Sequence, residues 1–240
     1  MTTKKSNKRE ERVEHNNDGD YTHIAVVLDR SGSMQSTYKD TVGGFEKFLE
    51  DQKKEDGKAT ISIYQFDTEY DAICEMQDVQ DCVGIKDAYI PRGGTALHDA
   101  ICRTINNTDE AVDNMDDDDV PQKIICVIIT DGGENASRRF GHNDVNDMIS
   151  ARRDENWEFV FIGANQDSFS VGGGMGIRAG NTLDYEATSV GTQALYHSMS
   201  RSISSARGKT YAAFKSDTFF EKEEEEDKPN SNTIGVDLDN

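Results

Sequence analysis

The sequence has no basic excess, no long apolar run and no paired-cysteine motif, and each absence removes a class of function. Lysine and arginine number 26 against 46 aspartates and glutamates, a formal net charge of −20. Phosphate recognition normally leaves a basic footprint, so the reading is of no nucleic-acid partner and no adsorption to an anionic membrane surface. No apolar stretch approaches the roughly 20 residues that a membrane-spanning helix requires. The N-terminal residues 1–20 are charged but have no apolar stretch behind their lysines, so they do not read as a secretory signal. Cys74, Cys82, Cys102 and Cys126 form no CxxC pair and have no zinc-like spacing. A reduced, cytoplasmic chain is the simplest expectation.

What is present is a polar-ended chain with an apolar middle. The hydrophobic fraction is 35% and the mean hydropathy −0.74, values that polar ends dilute. Residues 1–20 read as a disordered polar arm, 21–215 as one domain, and 216–240 as an acidic, disordered tail. Within the domain, Tyr21–Asp29, Lys123–Thr130 and Trp157–Gly163 are short continuous apolar runs, the signature of strands buried on both faces. Ala59–Phe66 alternates as a further strand, and Tyr70–Met76 can pair back at the edge. Helical spacing appears over Ser36–Lys54, from Leu97 onward, over Asn143–Glu155 and over Val190–Ala206. Asp116–Asp119 reads as a solvated loop, since it lacks the glycine and late glutamate of a calcium loop. Strands alternating with helices predict an α/β fold: a doubly wound, mostly parallel sheet flanked by helices, Rossmann-like in order.

In such sheets ligands bind beyond the carboxyl ends of the strands. The first strand ends in Asp29-Arg30-Ser31-Gly32-Ser33, and the strand from Lys123 ends in Thr130-Asp131-Gly132-Gly133. If these strands are neighbours, Asp29 and Asp131 sit side by side. Gly93-Gly94-Thr95 presents a hydroxyl at a helix start. Alone, Asp29 and its serines read more readily as caps of the next helix than as a metal site. Together, two carboxylates and three hydroxyls make an all-oxygen set suited to a hard cation such as Mg2+.

Asp29-x-Ser31-x-Ser33, Thr95 and Asp131 resemble the metal-ion-dependent adhesion site (MIDAS) of von Willebrand factor A domains. The surrounding residues Val26–Met34, Gly93–Ile101 and Val127–Asn135 agree, and the resemblance covers nearly all of residues 21–207. Phe161–Gln166, with the glycine-rich Gly172–Ile177, resembles short intracellular A-domain proteins of bacteria and phages. The resemblance implies Mg2+, with Mn2+ or Ca2+ as alternatives, held directly by Ser31, Ser33 and Thr95. Asp29 and Asp131 would act mostly through water or hydrogen bonds. It implies a non-enzymatic module whose protein partner presents an Asp or Glu, an AAA+ ATPase or a host factor being the kinds suggested. The acidic tail itself could supply such a carboxylate.

Two other readings stay open: a metal-independent structural, virion or scaffold protein, and a Mg2+-dependent phosphohydrolase. Against hydrolysis, Asp29 is followed by Arg30 rather than a second aspartate, and no glycine-serine-glycine elbow surrounds Ser31 or Ser33. Of five histidines only His98 lies near the strand ends, where it reads as a capping or packing residue. Gly172–Gly176 lacks the lysine–serine pair of a P-loop and reads as a turn or helix end.

Overall fold

The apolar runs become the centre of the sheet. In the computed structural model, which describes residues 21–164 and 167–220, β1 (Thr22–Asp29), β4 (Lys123–Thr130) and β5 (Trp157–Ala164) are buried along their whole length. With β2 (Ala59–Phe66), β3 (Tyr70–Asp78) and β6 (Thr182–Tyr185) they form a six-stranded sheet in the order β3-β2-β1-β4-β5-β6. All neighbours are parallel except β3, which pairs antiparallel with β2 at the edge. The doubly wound, mostly parallel fold expected from the sequence is therefore the fold observed.

Two cores lie on opposite faces of the sheet because successive strand residues point to opposite sides. Ile24, Val26, Leu28, Ile125, Val127 and Ile129 face α1 (Tyr38–Gln52) and α5 (Ser189–Gly208). Ile124, Cys126 and Ile128 face α2 (Leu97–Asp113) and α3 (His142–Arg153). A Cβ on Gly44 would lie 2.3 Å from the Tyr196 ring, so glycine sets the close approach of α1 to α5. Lys123, 2% exposed, donates from Nζ to the carbonyls of Ala206, Arg207 and Lys209. It thereby places a cation at the C-terminal end of α5, where free carbonyls gather.

Three short elements add to the expected ones: α4 (Ser168–Gly174), β6 and α6 (Tyr211–Ser216). Gly172–Gly174 closes α4, a helix end, and the exposed aspartates at 116–119 form a loop with one 3-10 turn. Packing continues past residue 215, since Phe219 is buried in the same core as Phe214. The polar arm 1–20, the stretch Asn165–Gln166 and residues 221–240 of the acidic tail lie outside the described residues. Among the described residues, no helix is long and apolar enough to cross a membrane.

Candidate metal centre

Because β1 and β4 are parallel neighbours, their carboxyl ends bring Asp29 and Asp131 to the same crest. The chain leaves β1 through an extended Ser31 and turns at once into a 3-10 helix, Gly32–Thr37. That turn folds Ser31 and Ser33 back over the strand ends. The Ser31 backbone N–H donates to Asp29 Oδ1 at 2.6 Å, and the Ser31 and Ser33 hydroxyl oxygens lie 3.0 Å apart. Ser33 Oγ donates to Asp131 Oδ1 at 2.6 Å, and the Thr130 hydroxyl donates to Asp29 Oδ2 at 2.6 Å. Asp29 is fully buried with both carboxylate oxygens engaged, whereas Ser33 is exposed. The inner carboxylate orients its neighbours, and the serine hydroxyl faces the opening.

Thr95 reaches the cluster from the loop before α2. A Cβ built on Gly132 would lie 3.8 Å from both Ser33 Oγ and Thr95 Oγ1, so these hydroxyls flank one small space that glycine leaves clear. The loop is held by contacts only glycines permit. Gly93 has a φ of +68°, in the left-handed region that disfavours side chains. A Cβ on Gly94 would sit 2.8 Å from Asn135 Oδ1, the atom that accepts the Thr95 N–H at 2.9 Å. The Thr95 carbonyl in turn accepts from the backbone of Asn135 and Ala136 at 3.0 and 3.2 Å. All five residues singled out from the sequence thus converge.

The electrostatics favour a cation. Burial pushes the Asp29 carboxyl up to about 6, against hydrogen bonds from Thr130 and Ser31 and with a contribution from the Asp131 charge. Burial also raises Asp131, despite its hydrogen bond from Ser33. Among the described residues neither carboxylate has an ion-pair partner. No group of three or more His, Cys, Asp or Glu side chains converges there or elsewhere among them. Two buried carboxylates without a counter-charge, beside three hydroxyls and no softer donor, fit a hard divalent ion.

Sequence reasoning missed the support around this cluster. Arg30 looks like a variable position, yet it is buried and donates to Asp67 Oδ2 at 2.9 Å and to Asp71 Oδ2 at 2.6 Å. Arg92 donates to the same Asp67 oxygen at 2.8 Å, and the Asp67 carbonyl accepts the Ala96 N–H at 3.0 Å. Asp67 thus ties the Ser31 turn to the Thr95 loop. Its position after β2, a third strand end on the same crest, was the available signal. The Tyr89 hydroxyl donates to the Asp29 carbonyl at 2.7 Å, and Glu134 accepts the His98 N–H at 2.9 Å near the start of α2. His98 packs against His142, with ring centroids 5.9 Å apart, as a packing residue would.

No protein-family model and no curated protein matches the chain. Solved structures do. Proximal thread matrix protein 1 from mussel byssus, solved with zinc in its MIDAS motif, is 17% identical with a TM-score of 0.58, over 77% of this chain and 46% of that one. A von Willebrand factor type A protein from Catenulispora acidiphila is 12% identical with a TM-score of 0.52, over 76% of this chain and 42% of that one. The von Willebrand domain of the pilus tip protein Mfa5 from Porphyromonas gingivalis is 9% identical with a TM-score of 0.57, over 78% of this chain and 96% of that one. The chain therefore spans less than half the length of the first two of these proteins. At such identities the likeness is one of architecture, and the chain has the fold of von Willebrand factor A domains.

Proposed function

We propose that the protein is a non-enzymatic interaction module in which Ser31, Ser33, Thr95, Asp29 and Asp131 hold Mg2+ and a protein partner completes the site with an aspartate or glutamate. The observation that carries this reading is the pair of buried carboxylates, without a counter-charge among the described residues, beside an exposed serine hydroxyl. The zinc-occupied MIDAS of the mussel protein with this fold supports it. Ser31, Ser33 and Thr95 would offer hydroxyl oxygens to the ion, and Asp131 would hold the Ser33 hydroxyl in place. Asp29, with both oxygens engaged, fixes the Ser31 turn and balances charge from below. When bound, the ion supplies an electrophilic position for the partner's carboxylate oxygen. Mn2+ and Ca2+ are the alternative ions.

The surroundings of His98 support the reading of recognition rather than turnover. His98, the histidine near the strand ends, is turned toward Glu134 and His142, and its pKa is lowered chiefly by burial. A cytoplasmic setting, in a bacterium or in the host of a phage, and an AAA+ ATPase or host factor as partner belong to the same proposal.

A pull-down in Mg2+ and in EDTA tests it, with Ser33→Ala as the control. The expected result is a partner retained by the wild type in Mg2+ and released by EDTA or by the substitution. A partner held equally in EDTA contradicts the proposal and favours a metal-independent scaffold.

A further inference from the structure

We propose that Thr233–Leu238 of this same chain adds as a strand to the outer edge of β6, seating Ile234, Val236 and Leu238 in an apolar groove against α5. This inference does not depend on the metal centre.

β6 is the last strand of the sheet, and among the described residues no strand pairs with its outer edge. An unpaired edge is a template for another strand, and folded proteins usually cover or blunt it. Beside this edge lies a groove of about 740 Å³, lined by Phe169, Leu183, Tyr185, Leu195, Arg201 and Phe220. Leu183 and Tyr185 alternate along β6 and are only half-buried against the core. Phe169 is 54% exposed at the rim. A large apolar surface beside an open strand edge needs an occupant.

The chain carries a suitable one. Between Phe220 and Ile234 the sequence has no aliphatic or aromatic residue except Pro229. It then reads Thr233-Ile234-Gly235-Val236-Asp237-Leu238, apolar at every second position. The side-chain period of two places Ile234, Val236 and Leu238 on one face of an extended segment, matching Leu183 and Tyr185 on β6. The backbone would supply the ladder and the alternate side chains the fit, as in other strand additions.

The length of chain is sufficient. Phe220, the last described residue before this stretch, itself lines the groove. The 13 residues from 221 to 233 can span at most about 45 Å when extended, ample for the chain to turn back to β6.

Hydrogen–deuterium exchange on the full chain tests the proposal, comparing wild type with the double substitution Ile234→Asp and Val236→Asp. Both positions lie outside the described core, so the fold provides its own control in the amides of β4. The expected result is that amides of Leu183–Glu186 exchange at least about tenfold faster in the variant while β4 is unchanged. Equal rates at Leu183–Glu186 overturn the proposal. Wild-type protection that rises with protein concentration also overturns it, because the segment would then come from a second copy.

Discussion

Saturating Mg2+ is expected to raise the thermal midpoint of the wild-type protein, and Ser33→Ala is expected to abolish the rise. A ligand that binds only the folded state stabilises it by about 2.7 kcal/mol at a hundred times its dissociation constant. For a domain of this size that corresponds to about 5–10 °C. The effect is expected to be large because the site draws two buried carboxylates together with no ion pair to either among the described residues. Ser33 is the informative position: it is exposed and donates to Asp131, so its loss leaves both carboxylates and the core in place. Removing that hydrogen bond alone costs about 1 kcal/mol of metal-free stability, which separates loss of binding from loss of fold. Sodium chloride at matched ionic strength serves as the screening control. An equal rise in the salt control, or an undiminished rise in Ser33→Ala, contradicts the expectation.

The second large effect lies one layer away. Asp67→Asn is expected to destabilise the protein by about 3 kcal/mol, because it leaves the buried Arg30 charge with only the half-exposed Asp71 as its partner. The Arg30 and Asp67 side chains are 5% and 1% exposed, so water does not replace what is lost. The same substitution loosens the link between the Ser31 turn and the Thr95 loop. Mg2+ affinity is therefore expected to fall by about tenfold, the low end for losing an outer support of metal ligands. The pH dependence has a definite sign. Burial pushes the Asp67 carboxyl up, but hydrogen bonds from Arg92 and the Glu69 N–H, with the charges of Arg30 and Arg92, outweigh it and hold the group below the usual carboxylate value. Its contribution is therefore complete above the unfolded-state value of about 3.9 and is lost as pH falls through the lower folded value. Denaturant unfolding of wild type and variant should show a gap that is constant near neutrality and closes in acid. A loss below about 1 kcal/mol, or a gap that widens in acid, contradicts the account.

The contrast between these two predictions marks what the residues reveal before folding. Asp29, Ser31, Ser33, Thr95 and Asp131 were legible because each sits where a strand stops or a glycine loop begins, and their donor chemistry is shared. The long strands were legible because burial on both faces demands uninterrupted apolar runs such as Ile124–Ile129. The Arg30–Asp67–Arg92 arrangement was not, since an ion pair between separate loops leaves no local period. The same limit hid β6 and α4. β6 is four residues long with Asp184 in its middle, and α4 ends in three glycines, so neither carries a pattern of its own. Their form is set by neighbours: β5 supplies the ladder for β6, and Asp184 accepts the Ser168 N–H at the start of α4. Lys123 shows the reverse case, a charged residue opening an apolar strand whose role depends on a helix end more than eighty residues later.

The most direct measurement is an anomalous difference map from crystals soaked in Mn2+, collected on the wild type and on Ser33→Ala. The account predicts one peak in the wild type, about 2.0–2.2 Å from the hydroxyl oxygens of Ser31, Ser33 and Thr95, and none at that place in the variant. Peaks only at surface carboxylates, or an empty crest at saturating Mn2+, would contradict it.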